Sequence, residues 1–110
     1  MTTDATLIMT TVADAAAAEK IANRLLEKRE AACVQELAIR SRYRWDGELR
    51  SDPEILLLIK TSSRASAAAM RTIRSLHDYD VPEIVAVPVT DGLPDYLAWI
   101  AREAPGDTAD

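Results

Sequence analysis

The chain's only histidine, His77, is followed by Asp78, Asp80 and Glu83, which places an imidazole and three carboxylates within seven consecutive residues. An imidazole can ligate a metal or move a proton near neutral pH. Carboxylates suit hard and borderline cations. The stretch is therefore a candidate divalent-cation site, with His77, Asp78 and Asp80 as ligands. A plain structural account also exists: a histidine that satisfies carbonyls at a helix C-terminus, followed by a solvated acidic loop.

Other residue types could also do chemistry. Cys33 is the only cysteine. It could act as a thiolate ligand or nucleophile, or as an inert thiol between apolar neighbours. Alone it makes neither an intramolecular disulfide nor a thiolate cage. Lys60 ends an apolar run, where its amine could bind an anion, pair with Glu83 or simply mark a strand end. Tyr43 and Trp45 could line a ligand cleft or anchor an interface. Arg40, Arg42 and Arg44 could hold an anion or pair with acids of another subunit. The chain has no glycine-rich phosphate loop, CxxC or HExxH pattern.

The elements that must position these residues are readable from periodicity. Thr6 to Val12 is a β-like run rich in branched side chains. Asp14 is a good N-cap for a helix from Ala15 to Glu30, whose face is Ala18, Ile21, Ala22 and Leu25. Between Leu37 and Trp45 the pattern has period two, with arginines on one face. Asp46-Gly47 then signals a hairpin. Pro53 predicts a bend or bulge near Ser51 to Pro53. The apolar run Ile55 to Ile59 predicts a central strand, Glu54 to Thr61, buried on both faces. A second helix is predicted from Ala65 to His77. Glu83 to Thr90 reads as an edge or bulged strand because Pro88 lacks an N–H. Pro94 to Ala104 closes the fold as a short helix, and residues 105–110 read as a frayed tail.

The order β-α-β-β-α-β, then a helix, predicts one α+β domain over residues 1–104 of the ferredoxin-like type. Strands one and three should be central, and strands two and four should lie at the edges. The length of 110 residues fits one domain. Net charge −5 argues against general nucleic-acid binding, which needs clustered cations. No run approaches the ~20 apolar residues of a membrane span. The opening MTTDATLIMTTVAD lacks a basic start and a long apolar stretch, so a cytoplasmic location is expected.

The Leu37–Trp45 arm would extend roughly 30 Å at ~3.3 Å per residue, against roughly 24 Å for the first helix at ~1.5 Å per residue. The arm should thus project past the helix that covers it, as an edge strand carrying Tyr43 and Trp45. Such an edge invites pairing with another chain, and a closed ring would consume every edge.

Several stretches resemble one known family. Ala31-Ala32-Cys33-Val34 and Tyr43-Arg44-Trp45-Asp46-Gly47 resemble its A-A-C and Y-x-W-x-G patterns. Leu58-Ile59-Lys60-Thr61 resembles its L-I-K-T strand end. His77 to Glu83 resembles its H-P-Y-E-x-P-E loop, and Tyr96-Leu97-Ala98-Trp99 its closing helix. Five matches in order, from about Thr6 to Ala104, mark a resemblance to the CutA divalent-cation tolerance proteins. The resemblance implies a homotrimer like that of PII-type signal proteins, with Arg42, Tyr43, Arg44, Trp45 and Trp99 at the subunit interface. It also implies clefts between subunits, to which Cys33, Lys60, Tyr79 and Glu83 are assigned, and a link to a divalent cation such as copper or zinc. The sequence departs from the family at Asp78 (usually Pro), Asp80 (usually Glu) and Gln35-Glu36-Leu37-Ala38 (often Asn, then a Pro-Gly kink). Thr10 also stands where some members carry a cysteine proposed as a copper ligand.

Two functional expectations follow. The first is a trimer binding a divalent cation near His77. The second is a PII-like small-molecule sensor, its intersubunit cleft holding a small anion near Lys60, Tyr79 and Glu83, or a trimeric scaffold for a protein partner. An enzyme ranks last, because no spacing assembles Cys33, His77 and Tyr79 into an acid–base or nucleophilic set.

Overall fold

The structure is a computed structural model and describes residues 3–106. The order is β1 (Ala5–Val12), α1 (Ala15–Glu27), β2 (Cys33–Trp45), β3 (Glu48–Ser62), α2 (Ser66–Leu76), β4 (Ile84–Pro88) and α3 (Pro94–Glu103). The strands form one sheet in the order β2-β3-β1-β4. Every neighbouring pair is antiparallel. This is the predicted ferredoxin-like α+β arrangement, with strands one and three central. Of the tail expected over residues 105–110, residues 107–110 lie outside the described residues.

Cross-strand partners share a face, so the register divides the sheet in two. On one face Ile8, Val12, Leu57 and Ile59 pack with Ala18, Ile21 and Leu25 of α1 and Ala69 and Ile73 of α2. This is the core. The opposite parity puts Leu7, Met9, Leu56, Leu58, Val85, Val87 and Leu37 on the other face. Of these, Leu37, Val85 and Val87 are 45%, 43% and 42% exposed.

Helix α1 starts where Asp14 Oδ1 accepts the Ala17 N–H at 2.9 Å, a cap worth about 1 kcal/mol. It ends at Glu27, three residues before the predicted Glu30. Arg29 takes a left-handed conformation (φ 56), the Arg29 N–H donates to Leu26 and the Glu30 N–H to Leu25. This is a Schellman stop on a residue other than glycine. The Arg29 side chain donates to the carbonyls of Arg102 and Glu103 at the end of α3, which gives that residue a reason to occupy a costly backbone. Glu30, buried at 8% exposure, then accepts from Thr72 Oγ1 at 2.6 Å, and its carbonyl accepts from Thr61 Oγ1 at 2.6 Å.

The hairpin corrects one expectation. Pairing runs without interruption from Cys33↔Lys60 to Trp45↔Glu48, so there is no bulge at Pro53. Asp46 and Gly47 both have positive φ, 55 and 79, the mark of a type I′ two-residue turn. That turn makes Trp45 and Glu48 a hydrogen-bonded pair, and bonding then alternates along the ladder. By this alternation Pro53, opposite Arg40, directs its missing N–H away from β2. It points past Ile55, the partner of Val12, where β1 has already ended. A proline fits there without bending the strand. The Gln35-Ala38 departure likewise leaves β2 straight, paired with Leu58 to Ile55.

Beyond Ile55 the strands continue as a two-stranded ribbon, Ile39–Trp45 with Glu48–Glu54, roughly 23 Å long at ~3.3 Å per residue. The molecule is accordingly elongated, 43 × 28 × 20 Å, with a radius of gyration of 14.5 Å, against about 13 Å for a compact chain near this length.

One polar atom in the core has no partner among the described residues: Thr10 Oγ1, on the helix-facing side of β1 and fully buried. An unpartnered buried hydroxyl costs about 1–3 kcal/mol. Thr10→Val should therefore raise stability by about 1 kcal/mol, read as a higher denaturation midpoint at unchanged m value. A lower midpoint would mean that the hydroxyl has a partner.

Candidate functional site

Where the ribbon leaves the sheet, it diverges from the loop between α2 and β4. The space between them is an open groove of about 830 Å³, with Thr11 of β1, Trp45 of β2 and Glu83 before β4 among its lining. The loop is fixed by His77. With α2 ended at Leu76, His77 Nε2 lies 2.9 Å from the carbonyl of Thr11. That carbonyl sits just past Thr10↔Ile84, the last β1–β4 pair. The Tyr79 backbone N–H donates to His77 Nδ1 at 3.2 Å. A backbone amide can only donate, so Nδ1 must be the bare nitrogen and Nε2 carries the proton. The ring also lies against Tyr79, with centroids 4.8 Å apart.

So held, Tyr79 reaches into the groove and donates its hydroxyl to Glu54 Oε2 at 2.8 Å. Burial first, then this bond to Glu54, hold its phenol well above the usual tyrosine range. On the ribbon, Tyr43 donates to Asp52 Oδ2 at 2.6 Å, and that bond is the main cause raising its phenol. Asp80, Glu83, Arg42 and Arg50 also line the groove. The ion pairs among the described residues all lie elsewhere.

The structure separates residues that the sequence reading grouped. Tyr79, Asp80 and Glu83 share the groove, but Asp78 is not part of its lining. His77 has both nitrogens engaged and offers no free lone pair. No group of three or more His, Cys, Asp or Glu side chains among the described residues is placed to hold a metal, so His77, Asp78 and Asp80 are not assembled as a ligand set within one chain. Cys33 and Lys60 form a cross-strand pair at the other end of the sheet. Lys60 lies six residue steps along β3 from Glu54, roughly 20 Å. Lys60 instead sits 5.6 Å from the Tyr96 ring, which stacks on Trp99 at 5.5 Å. Of the interface candidates, Arg42, Tyr43, Arg44 and Trp45 are exposed on the ribbon, and Trp99 is half-buried.

Sequence reasoning missed Asp52 and Glu54 as partners of the tyrosines. The first was within reach: a two-residue turn at Asp46-Gly47 puts Tyr43 opposite Arg50 and Ser41 opposite Asp52, which makes Tyr43 and Asp52 diagonal neighbours. No local pattern announces the Tyr79–Glu54 contact, which spans 25 residues.

Fold and groove together define a small α+β protein of the ferredoxin-like class with a polar, aromatic-lined recess. The family model described as CutA1 divalent ion tolerance protein matches residues 6–103, and the chain belongs to that family. It is 43% identical over 101 residues to the divalent-cation tolerance protein CutA of Thermus thermophilus, covering 91% of this chain and 97% of that one. The crystal structure of CutA from Xylella fastidiosa superposes with a TM-score of 0.90 at 44% identity, covering 93% and 99% of the two chains. A structure described as the periplasmic divalent cation tolerance protein CutA from Archaeoglobus fulgidus gives 0.88 at 35% identity, covering 91% and 98%.

The Tyr79–Glu54 bond has a pH consequence. The folded state holds the phenol neutral beyond the range where an unfolded tyrosine ionises, near pH 10. Its stabilisation is complete below that pH and is lost as pH rises toward the raised folded value. In urea unfolding between pH 8 and 11, the wild type should lose stability more steeply above pH 10 than Tyr79→Phe. Identical slopes would show that the bond does not set the phenol's ionisation.

Proposed function

We propose that this divalent-cation tolerance protein works as a homotrimer, and that its groove becomes a complete binding cleft when neighbouring subunits close around it. The carrying observation is the sheet face opposite the helices. There Leu37, Val85 and Val87 stay exposed beside half-buried Leu7, Met9, Leu56 and Leu58. An apolar face of this kind next to an unsupported ribbon calls for a partner surface. A second copy supplies the same chemistry, and a closed ring leaves no ribbon edge unpaired.

For the cation, the structural arguments favour carboxylates over His77. Asp80 and Glu83 are exposed at the groove without ion-pair partners among the described residues, whereas the imidazole is spent on Thr11 and Tyr79. With too few donors in one chain, a divalent ion such as zinc or copper would draw its remaining ligands from a neighbouring subunit. The small-molecule sensor reading is favoured by a different observation, the aromatic lining from Tyr43, Trp45 and Tyr79. The lone Cys33 is compatible with a reducing cytoplasm, which we retain as the location.

Sedimentation at micromolar concentration should give a trimer, and Val85→Asp should drive it to monomer. A folded wild-type monomer would overturn the assembly. Zinc or copper titration should show affinity about tenfold weaker in Asp80→Asn and Glu83→Gln, the loss expected when a charged contact worth about 1.4 kcal/mol is removed. It should be nearly unchanged in His77→Gln. The reverse ranking would restore His77 as the ligand.

A further inference from the structure

Charge is unevenly placed along this chain. Residues 15–30 and 62–76, which contain α1 and α2, carry seven Lys or Arg and three Asp or Glu; all other residues carry six against fifteen. A protein of net charge −5 thus bears a helix layer with an excess of cations. The excess is sharpest on α2. No Asp or Glu occurs between Glu54 and Asp78, whereas Arg64, Arg71 and Arg74 are all exposed. Arg71 and Arg74 are three apart and share a helix face, turned away from the buried Ala69 and Ile73. Arg64, seven residues before Arg71, extends the line past the helix start. The stripe is roughly 15 Å long at ~1.5 Å per residue. On α1 the cations are largely spent: Arg24 pairs with Glu27, Lys28 with Glu30 and Arg29 with Glu103. Arg64, Arg71 and Arg74 have no ion-pair partner among the described residues.

We propose that the outer face of α2 docks a short acidic segment of a partner protein, its carboxylates seated on Arg64, Arg71 and Arg74. The inference goes beyond the groove and draws nothing from it. Guanidiniums take carboxylates through paired N–H bonds, and the cations of α2 are all arginines. The helix packs on the core face of the sheet, opposite Leu37, Val85 and Val87. Subunits that close over that apolar face therefore leave the stripe open. A ring of copies would present one stripe per chain, which gives a partner with repeated acidic segments a multivalent hold. The surroundings select a short segment. A long polyanion such as a nucleic acid would run off the stripe onto the acidic remainder of the chain. An anionic bilayer calls for about four to eight clustered cations or an inserted apolar side chain. The stripe has three, and none of the exposed large apolar side chains belongs to α2.

The probe is an end-blocked glutamate oligopeptide of about ten residues, long enough to span the stripe in extended or helical form. Fluorescence anisotropy with the full-length protein in its native assembly should show binding in about 0.01 M salt. Binding should weaken toward about 0.1 M, as the Debye length falls from ~30 to ~10 Å. Arg71→Ala should weaken it roughly two- to fivefold, and Arg71→Ala with Arg74→Ala roughly tenfold. Arg102→Ala, which removes an exposed charge from α3, should leave it nearly unchanged. Both α2 positions are exposed and alanine favours helix, so the variants should fold, as circular dichroism checks. Absence of peptide binding to the folded wild type at the lowest salt would overturn the proposal. So would equal losses in Arg71→Ala and Arg102→Ala. An oligothymidylate of equal charge, or phosphatidylserine-containing vesicles, that bound more tightly through the same arginines would overturn it in favour of a nucleic acid or a membrane. Low-salt assemblies larger than a trimer, abolished by the double variant, would overturn it in favour of another copy's acidic surface. Sedimentation reports separately on the homotrimer: a monomer that still binds the peptide removes the assembly and leaves this inference standing.

Discussion

The rest of the structure depends on one register. From the type I′ turn at Asp46-Gly47 to the pair Cys33↔Lys60, β2 and β3 match residue for residue. That ladder sends seven residues of each strand past the end of β1. A one-residue slip of β3 would turn that strand over: Leu56 and Leu58 would enter the core in place of Leu57 and Ile59, and Asp52 and Glu54 would cross to the opposite face. Because Leu57 and Ile59 are fully buried against both helices, the core itself locks the position of Tyr43, Asp52 and Glu54. The groove is therefore a consequence of core packing transmitted along a ribbon.

The other wall is positioned by a single imidazole. His77 takes a carbonyl from the end of β1 on one side and an amide from its own loop on the other. It thereby ties the loop to the strand at the point where β4 begins. The most chemically versatile residue in the chain is used for its ability to accept at one nitrogen and donate at the other. Tyr79 is the product of that arrangement, and its contact with Glu54 joins the two walls of the groove.

The sequence made much of this visible. Period two between Leu37 and Trp45, the Asp-Gly turn and the apolar run at Ile55 to Ile59 each indicated a strand in its correct place, and Pro88 marked the edge. Pro53 misled because a proline's effect depends on which way its nitrogen points, and only the ladder alternation decides that. Helix α1 stopped short because Arg29 adopts a conformation that composition does not announce, for a reason lying over seventy residues away in α3. The candidate site was half legible. The acidic loop was found from its residue types, whereas within one chain Lys60 and Cys33 lie at the other end of the sheet, since proximity across a sheet is set by register and not by residue chemistry.

Arg29 bears on how the molecule comes apart. Its guanidinium closes the last turn of α3 while its own backbone ends α1, and Ser62 at the end of β3 donates to the carbonyl of Ala104. The C-terminal helix is thus pinned at its far end to two elements from the first two-thirds of the chain. Fraying from the C-terminus would have to release a helix stop and a strand end at once. The local opening that usually begins at a chain terminus is in this way made part of the global unfolding of the domain.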